Sequence, residues 1–333
     1  MRAVVITRAG TPDVLEVQER PDPVAGPGQV RIDVRAAGLN FAEVMARQGL
    51  YPDAPKTPCV VGYEVAGVIA ELGEGVTNRA VGDRVIAGCE FGGHAEQVVT
   101  RVEDTIPLPD AMSFEQGAAI PVNYATAWAG LIGYGSLQPG ERVLIHAAAG
   151  GVGIAATQIA KHVGAEVWGT ASASKHDAIR GFGVDQPLDY RTSGWEEGLP
   201  SFDLIMDAVG GASARRSYGM LRAGGRLVAF GASSVVTGDK KNLLRAAPQA
   251  LRMLRGFDLI KQMSDSKAVI GLNMLSLWKD RGTLEPWIAP LRDLMDSGVI
   301  APHVHEAVPF SRAADAHRLI EQRVNVGKVV LVP

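Results

Sequence analysis

Hydrophobic positions along this chain follow two grammars that change over near residue 120. From residue 142 onwards, short runs that are apolar at consecutive positions alternate with segments of helical length. Val143-Leu144-Ile145 opens the series. Glu166 to Thr170, Asp203 to Asp207, Arg226 to Gly231 and Ala268 to Leu272 continue it, with one more short strand ahead of Tyr190. Strands apolar on both faces belong to a parallel sheet covered by helices on each side. Before that point the runs are shorter and partly alternating. Val4 to Ile6, then Val30, Ile32 and Val34, then Val65 to Ile69, Val81 to Ile86 and Ala95 to Thr100 are separated by prolines and glycines. That punctuation predicts an all-β, barrel-like domain. Tyr124 to Ile132 has helical character and Pro139-Gly140 marks a turn, so the boundary falls between Pro121 and Gly140. Pro302 to Pro309 and Gly327 to Val332 read as segments that return to the first domain. The expected division is 1–122 with 280–333 as one domain and 123–279 as the other.

The junction between the first parallel strand and its helix carries the most chemistry. His146-Ala147-Ala148-Ala149-Gly150-Gly151-Val152-Gly153 follows the apolar run, and Ala155, Ala156, Ile159, Ala160 and Val163 then recur at helical spacing. Backbone lacking Cβ atoms approaches a pyrophosphate closely, and the free N–H groups of a helix start favour its charge. Glycines that serve only the dihedrals of a tight turn are the plainer alternative. The strand-and-helix series behind the turn favours a dinucleotide site, with Ala149, Gly150, Gly151 and Val152 along the pyrophosphate. A site reading NAD places a carboxylate about 20 residues beyond the turn. Here Thr170, Ser172 and Lys175 stand in that region and no carboxylate occurs before Asp177. Hydroxyls and an ammonium suit a 2′-phosphate, and Tyr190 and Arg191 add a stacking face and a donor. The expected cofactor is NADP(H).

Composition removes several function classes. With 33 Lys and Arg against 36 Asp and Glu, the net charge of −3 leaves no broad footprint for nucleic acid. No apolar stretch approaches the roughly 18 residues of a membrane span. The first residues do not form a signal-peptide pattern, and the 2 cysteines, Cys59 and Cys89, make no disulfide framework. A cytoplasmic location is the expectation.

Gly38-Leu39-Asn40-Phe41, Val61 to Gly67 and Val81 to Val85, followed by the 146–153 turn, resemble the medium-chain dehydrogenase/reductase superfamily. Within it the chain is similar to the zinc-independent quinone oxidoreductases, on the branch of the synaptic vesicle membrane proteins. Segments 169–176, 189–190, 241–245 and 325–333 carry that likeness, which spans essentially the whole chain. The resemblance implies an α/β fold: a GroES-like β-rich catalytic domain, a Rossmann-type doubly wound parallel sheet for the cofactor, and a cleft between them. It also implies a homodimer joined around Ala268 to Leu272.

Zinc divides this superfamily. A catalytic zinc needs three thiolate, imidazole or carboxylate ligands and an open position. Asn40 stands where zinc-dependent relatives carry a first Cys, Tyr63 where they carry His before Glu, and Ile120 to Asn123 holds no third Cys. His94 reads as a turn or strand-edge residue. Without a Lewis acid, hydride transfer to a conjugated acceptor is favoured over alcohol oxidation, because charge spreads onto a remote carbonyl oxygen. The resemblance places Asn40, Tyr51 and Tyr63 near the nicotinamide: Asn40 and Tyr51 to orient or polarise a quinone or enone, and Tyr63 to line the pocket. Glu64 reads as structural. Thr126 and Trp128 flank the nicotinamide ribose in this reading. Phe230, Gly231 and Ala232 end a parallel strand, and Leu272 and Asn325 lie towards the nicotinamide end.

Residues 235–267 stand apart. Lys240, Lys241, Arg245, Arg252, Arg255 and Lys261 are interleaved with Leu243, Leu244, Leu251, Leu254, Phe257 and Ile260. The pattern favours a surface helix or a lid, interrupted at Pro248. A basic amphipathic segment also suits an anionic membrane surface or a partner. A nucleotide-bound peripheral membrane or interaction protein with little catalysis therefore stands as the second class of function.

Overall fold

The structure is a computed structural model that describes residues 1–236, 238, 247–248, 251 and 258–333. The basic residues from Lys240 to Arg255 singled out above lie outside the described residues.

The N-terminal part is built of β1 (Arg2–Ile6), β2 (Leu15–Glu19), β3 (Gln29–Leu39), β4 (Cys59–Val60), β5 (Glu64–Leu72), β6 (Arg84–Gly88), β7 (Gln97–Arg101) and β8 (Thr105–Pro107). Its α1 (Phe41–Arg47) follows β3, and α2 (Phe114–Gly117) and α3 (Pro121–Trp128) lead out of it. The central part runs β9 (Arg142–Ile145), α4 (Gly151–Val163), β10 (Glu166–Ala171), α5 (His176–Gly181), β11 (Gln186–Asp189), β12 (Phe202–Asp207), α6 (Ala212–Met220), β13 (Leu221–Ala229) and β14 (Ala268–Gly271). β15 (Val304–Pro309) and β16 (Lys328–Val332) close the chain.

β9 to β14 form one six-stranded sheet in the order β11-β10-β9-β12-β13-β14, parallel at every pairing. The order reverses between β9 and β12, the place where doubly wound sheets bind ligands beyond their strand ends. A second sheet has the order β15-β16-β3-β5-β6-β8, with β7 also on β3, and a third has β2-β1-β4. β16 pairs antiparallel with β3, Val329 opposite Leu39 and Leu331 opposite Ala37, and parallel with β15. The whole is a GroES-like domain beside a Rossmann-type domain.

Two elements differ from the sequence pattern. β13 begins at Leu221, before the expected Arg226, because Arg222 to Gly225 continue the strand with Gly224 at φ +80°. Polar, glycine-rich positions concealed that stretch. The helix expected over 124–132 begins at Pro121 and widens to a π-turn over Ala129–Gly133. Proline at the first helical position fits there, since that N–H has no partner inside the helix.

One apolar cluster joins the domains. It includes Ala36, Ala66 and Ile86 from the β-rich part, Tyr124 and Ala127 of α3, Val143 and Met206 of the parallel sheet, and Trp287 and Leu291 of the helix Glu285–Asp296. Among the described residues, no helix is long and apolar enough to cross a membrane.

Candidate functional site

β9 ends at Ile145 and α4 starts one turn later. Ala147 takes φ +55°, a left-handed conformation that is costly for a residue with a Cβ. Two glycines are required by space. A Cβ on Gly153 would lie 2.4 Å from the Ala147 carbonyl oxygen, and one on Gly151 would lie 2.4 Å from the Asn123 amide. Gly150 caps the helix and has open space around it, with only the Ala147 oxygen at 3.3 Å. The first N–H groups of α4 lack partners inside the helix, so Gly151 and Val152 present backbone donors suited to a pyrophosphate, while the Gly150 N–H is taken by the Ala147 carbonyl at 2.9 Å.

Behind the turn is a fully buried polar chain. The Ala147 N–H donates to Thr170 Oγ1 at 3.3 Å, and Thr170 Oγ1 lies 3.1 Å from His146 Nδ1. His146 Nε2 lies 3.0 Å from Ser217 Oγ, which donates to Asp207 Oδ2 at 3.0 Å. Asp207 Oδ1 accepts the N–H groups of Val209 and Gly210. Burial pushes the His146 pKa down, Asp207 opposing and Arg216 reinforcing. Thr170, expected at the cofactor, has its hydroxyl committed to this chain and shapes the turn from beneath.

Ser172 and Lys175 follow the end of β10, and Tyr190 and Arg191 follow the end of β11. The Arg191 guanidinium carbon lies 5.8 Å from the Tyr190 ring centre, and Ser172 Oγ is 3.4 Å from Ser174 Oγ. Lys175 Nζ donates to the carbonyls of Arg323 at 2.8 Å and Asn325 at 2.6 Å. Its pKa is lowered by burial and then by Arg191. The segment it holds also touches the glycine turn, because the Gly327 N–H donates to the Ala149 carbonyl at 2.8 Å. Asn325 turns its amide back onto the Gly327 carbonyl at 2.8 Å.

One residue further, Lys328 enters the cleft. Its Nζ donates to Asn40 Oδ1 at 2.6 Å and forms a buried ion pair with Glu64. Asn40 Nδ2 donates to Glu64 Oε1 at 3.0 Å and to Glu43 Oε1 at 3.4 Å. The Asn40 N–H donates to Glu43 Oε2 at 2.6 Å, and Glu64 Oε2 accepts the Val122 N–H at 2.7 Å. Both ends of the Asn40 amide are therefore occupied, which makes Asn40 a member of the scaffold. Glu64 is structural, as expected, and ties β5 to the start of α3. Burial pushes the Glu43 carboxyl up to about 8, with Lys328 opposing and Glu64 reinforcing. Sequence reading missed Lys328 and Glu43; the capping spacing Asn40 to Glu43 was a usable signal for the second.

Tyr51 and Tyr63 meet edge to face with ring centres 6.4 Å apart, and Tyr63 also packs on Phe91 at 5.2 Å. Tyr63 is buried, and the Tyr51 hydroxyl is the polar neighbour of its own hydroxyl. Burial raises both phenol pKa values, so each keeps its proton and remains a donor. Thr126 is buried on α3. Phe230, Gly231 and Ala232 follow the end of β13, where a Cβ on Gly231 would lie 2.5 Å from the Ala208 carbonyl oxygen. Leu272 borders a cavity of about 410 Å³ with Tyr134, Asn273 and Leu277, beside β14, the last strand of the six-stranded order among the described residues.

Among the described residues, no group of three or more His, Cys, Asp or Glu is placed to hold a metal. His94 lies in a turn but is buried against the Gly38 carbonyl at 3.1 Å, and burial pushes its pKa down to about 4.

Two family descriptions match the chain: an alcohol dehydrogenase GroES-like domain over residues 26–110 and a zinc-binding dehydrogenase over residues 182–331. The synaptic vesicle membrane protein VAT-1 homolog of Homo sapiens is 39% identical over 341 residues, covering 100% of this chain and 86% of the relative. The crystal structure of the human VAT-1 homolog-like protein superposes with a TM-score of 0.86 at 30% identity, covering 100% of this chain and 98% of that one. Escherichia coli quinone oxidoreductase, solved in complex with NADPH, gives 0.85 at 29% identity with 100% of both chains covered.

Proposed function

The chain belongs to the medium-chain dehydrogenase/reductase superfamily, among the quinone oxidoreductases and on their synaptic vesicle membrane protein branch, and on that premise we propose that it is a zinc-independent, NADPH-dependent reductase of quinones or α,β-unsaturated carbonyl compounds. The observation that supports this reading is the pair of protonated phenols, Tyr51 and Tyr63, packed edge to face, Tyr63 being the residue that stands where the resemblance puts a metal ligand. Phenol hydroxyls that keep their protons can donate to a developing oxyanion, and preorganised donors need no reorganisation.

Gly151 and Val152 would hold the pyrophosphate through backbone N–H groups, Gly150 would give it room, and Lys175, Arg191 and Ser172 would take the 2′-phosphate; the nicotinamide, when bound, would supply a hydride. Tyr51 and Tyr63 bind and polarise the acceptor carbonyl. Asn40, locked by Glu43, Glu64 and Lys328, keeps the entrance of α1 fixed beneath them. The final proton comes from solvent. The place of β14 as the last strand of the order among the described residues supports a homodimer that continues the sheet, readable as the particle mass in solution, and a cytoplasmic location fits the composition.

Following NADPH oxidation with a panel of quinones and enones, with and without a chelator, tests the proposal. Chelator-insensitive turnover is expected, with Tyr63→Phe lowering kcat/KM by at least tenfold, the size of one lost donor to an oxyanion. Turnover abolished by the chelator would overturn the metal-free mechanism. Tight NADPH binding without turnover on any acceptor would favour the second reading, a membrane-surface or interaction protein. That reading draws on the exposed Leu259, Ile260 and Met263 of the helix Leu259–Asp265.

A further inference from the structure

We infer that His146 is a positioning residue that holds the dinucleotide-binding turn through a directional hydrogen-bond relay from the Ala147 N–H to the Asp207 carboxylate. The inference rests on the reading that the turn binds a dinucleotide pyrophosphate, and it assigns a role to four residues on separate elements: His146 after β9, Thr170 on β10, Asp207 on β12 and Ser217 on α6.

The direction follows from donor and acceptor capacity. Asp207 is an acceptor, so the proton between it and Ser217 belongs to Ser217. Ser217 Oγ therefore accepts from His146, which places the imidazole proton on Nε2. Nδ1 is then an acceptor and receives the Thr170 hydroxyl proton. Thr170 Oγ1 is left with its lone pairs facing the Ala147 N–H. Each link has one donor and one acceptor, and only the neutral Nε2–H tautomer satisfies all of them at once.

The far end of the relay is the one strained residue of the turn. Ala147 sits at φ +55°, and its carbonyl oxygen is the atom that Gly153 approaches closely. Moving Ala147 therefore moves the start of α4, where the pyrophosphate donors lie. The opposite end is equally fixed, because Asp207 Oδ1 holds the Val209 and Gly210 N–H groups that begin the loop after β12. His146 is sealed by the edge of Trp195, ring centres 5.9 Å apart, with Asp207 and Arg216 the charged groups acting on it. A charged His146 would carry a second proton on Nδ1, aimed at Thr170 Oγ1. Thr170 would then have no acceptor for its own proton, and its hold on Ala147 would weaken.

Titration calorimetry of NADPH and NADH, paired with NMR of the imidazole nitrogens, tests the relay in the full chain. The wild type should show His146 as the Nε2–H tautomer before any nucleotide is added. Ser217→Ala, which lies away from the nucleotide, should mix the two tautomers and weaken NADPH and NADH by the same factor, about five- to tenfold for one broken link. The factors should be equal because both dinucleotides share the pyrophosphate. His146→Phe, which keeps a ring against Trp195, should behave likewise. A folded Ser217→Ala protein with unchanged affinities, or a wild type in the Nδ1–H tautomer, would overturn the inference while leaving the cofactor reading intact. A wild type that binds neither dinucleotide would overturn that reading, and the inference with it.

Discussion

Glu43 is a carboxyl with no exposed surface, set beside a second carboxylate and a single ammonium. If all three were charged, one net negative charge would be buried, which is costly unless paired. Protonation of Glu43 removes it, consistent with a carboxyl pushed up to about 8 from an ordinary value of 4.5. A folded value above the unfolded one contributes stability that is complete below about 4.5 and is lost as pH rises through about 8. The melting temperature should therefore fall as pH rises from about 4.5 to about 8, by a stability loss on the order of a few kcal/mol over the whole span, of which only about 1 kcal/mol falls above neutral pH. Glu43→Gln keeps the hydrogen bond from the Asn40 N–H and should flatten that slope. Calorimetry across the range decides, and an unchanged slope in the variant would place the titration elsewhere. Asn40 and Glu64 were legible in sequence because they sit in recognisable local motifs. Lys328 was not, since it lies 288 residues from Asn40 and 264 from Glu64, and no spacing rule reaches across such distances.

Among the elements, the parallel strands were the most legible because each is buried on both faces and so is apolar at consecutive positions, as in Phe202–Asp207. The turn after β9 was legible because Gly151 and Gly153 have no room for a Cβ. What each polar side chain of the turn region does was less so. Thr170 and Lys175 were chosen by chemical type, and the structure joins one to His146 and the other to the carbonyls of Arg323 and Asn325. Lys175 thereby fastens the segment that runs into Lys328. An incoming 2′-phosphate competes for the same ammonium, with Arg191 beside it as a second donor. Lys175→Ala should weaken NADPH by about tenfold or more, the value of one charge-assisted contact, and NADH by only about two- to threefold. Equal losses for both would mean that Lys175 serves the segment alone.

Across the whole molecule, the two domains share one core and are stitched at several separated places. Gln158 binds Ala301 from both sides of its amide, Lys175 binds the carbonyls of Arg323 and Asn325, and Gly327 pairs with the glycine turn. The segment 323–328 contacts Lys175, the glycine turn and the Asn40 cluster within a few residues. A ligand held at the turn therefore acts on contacts that belong to both domains. Binding to the native state alone adds about 2.7 kcal/mol at a hundredfold excess over Kd. If the domains unfolded independently, that stabilisation would appear in the parallel-sheet domain only. The continuous cluster from Ile86 through Tyr124 to Leu291 argues for one cooperative unit instead. Scanning calorimetry should show a single transition that NADPH moves upward as a whole, by several degrees. Two resolved transitions, with only one responding to NADPH, would mean that the β-rich domain stands free of the cofactor and that the 323–328 segment transmits nothing between them.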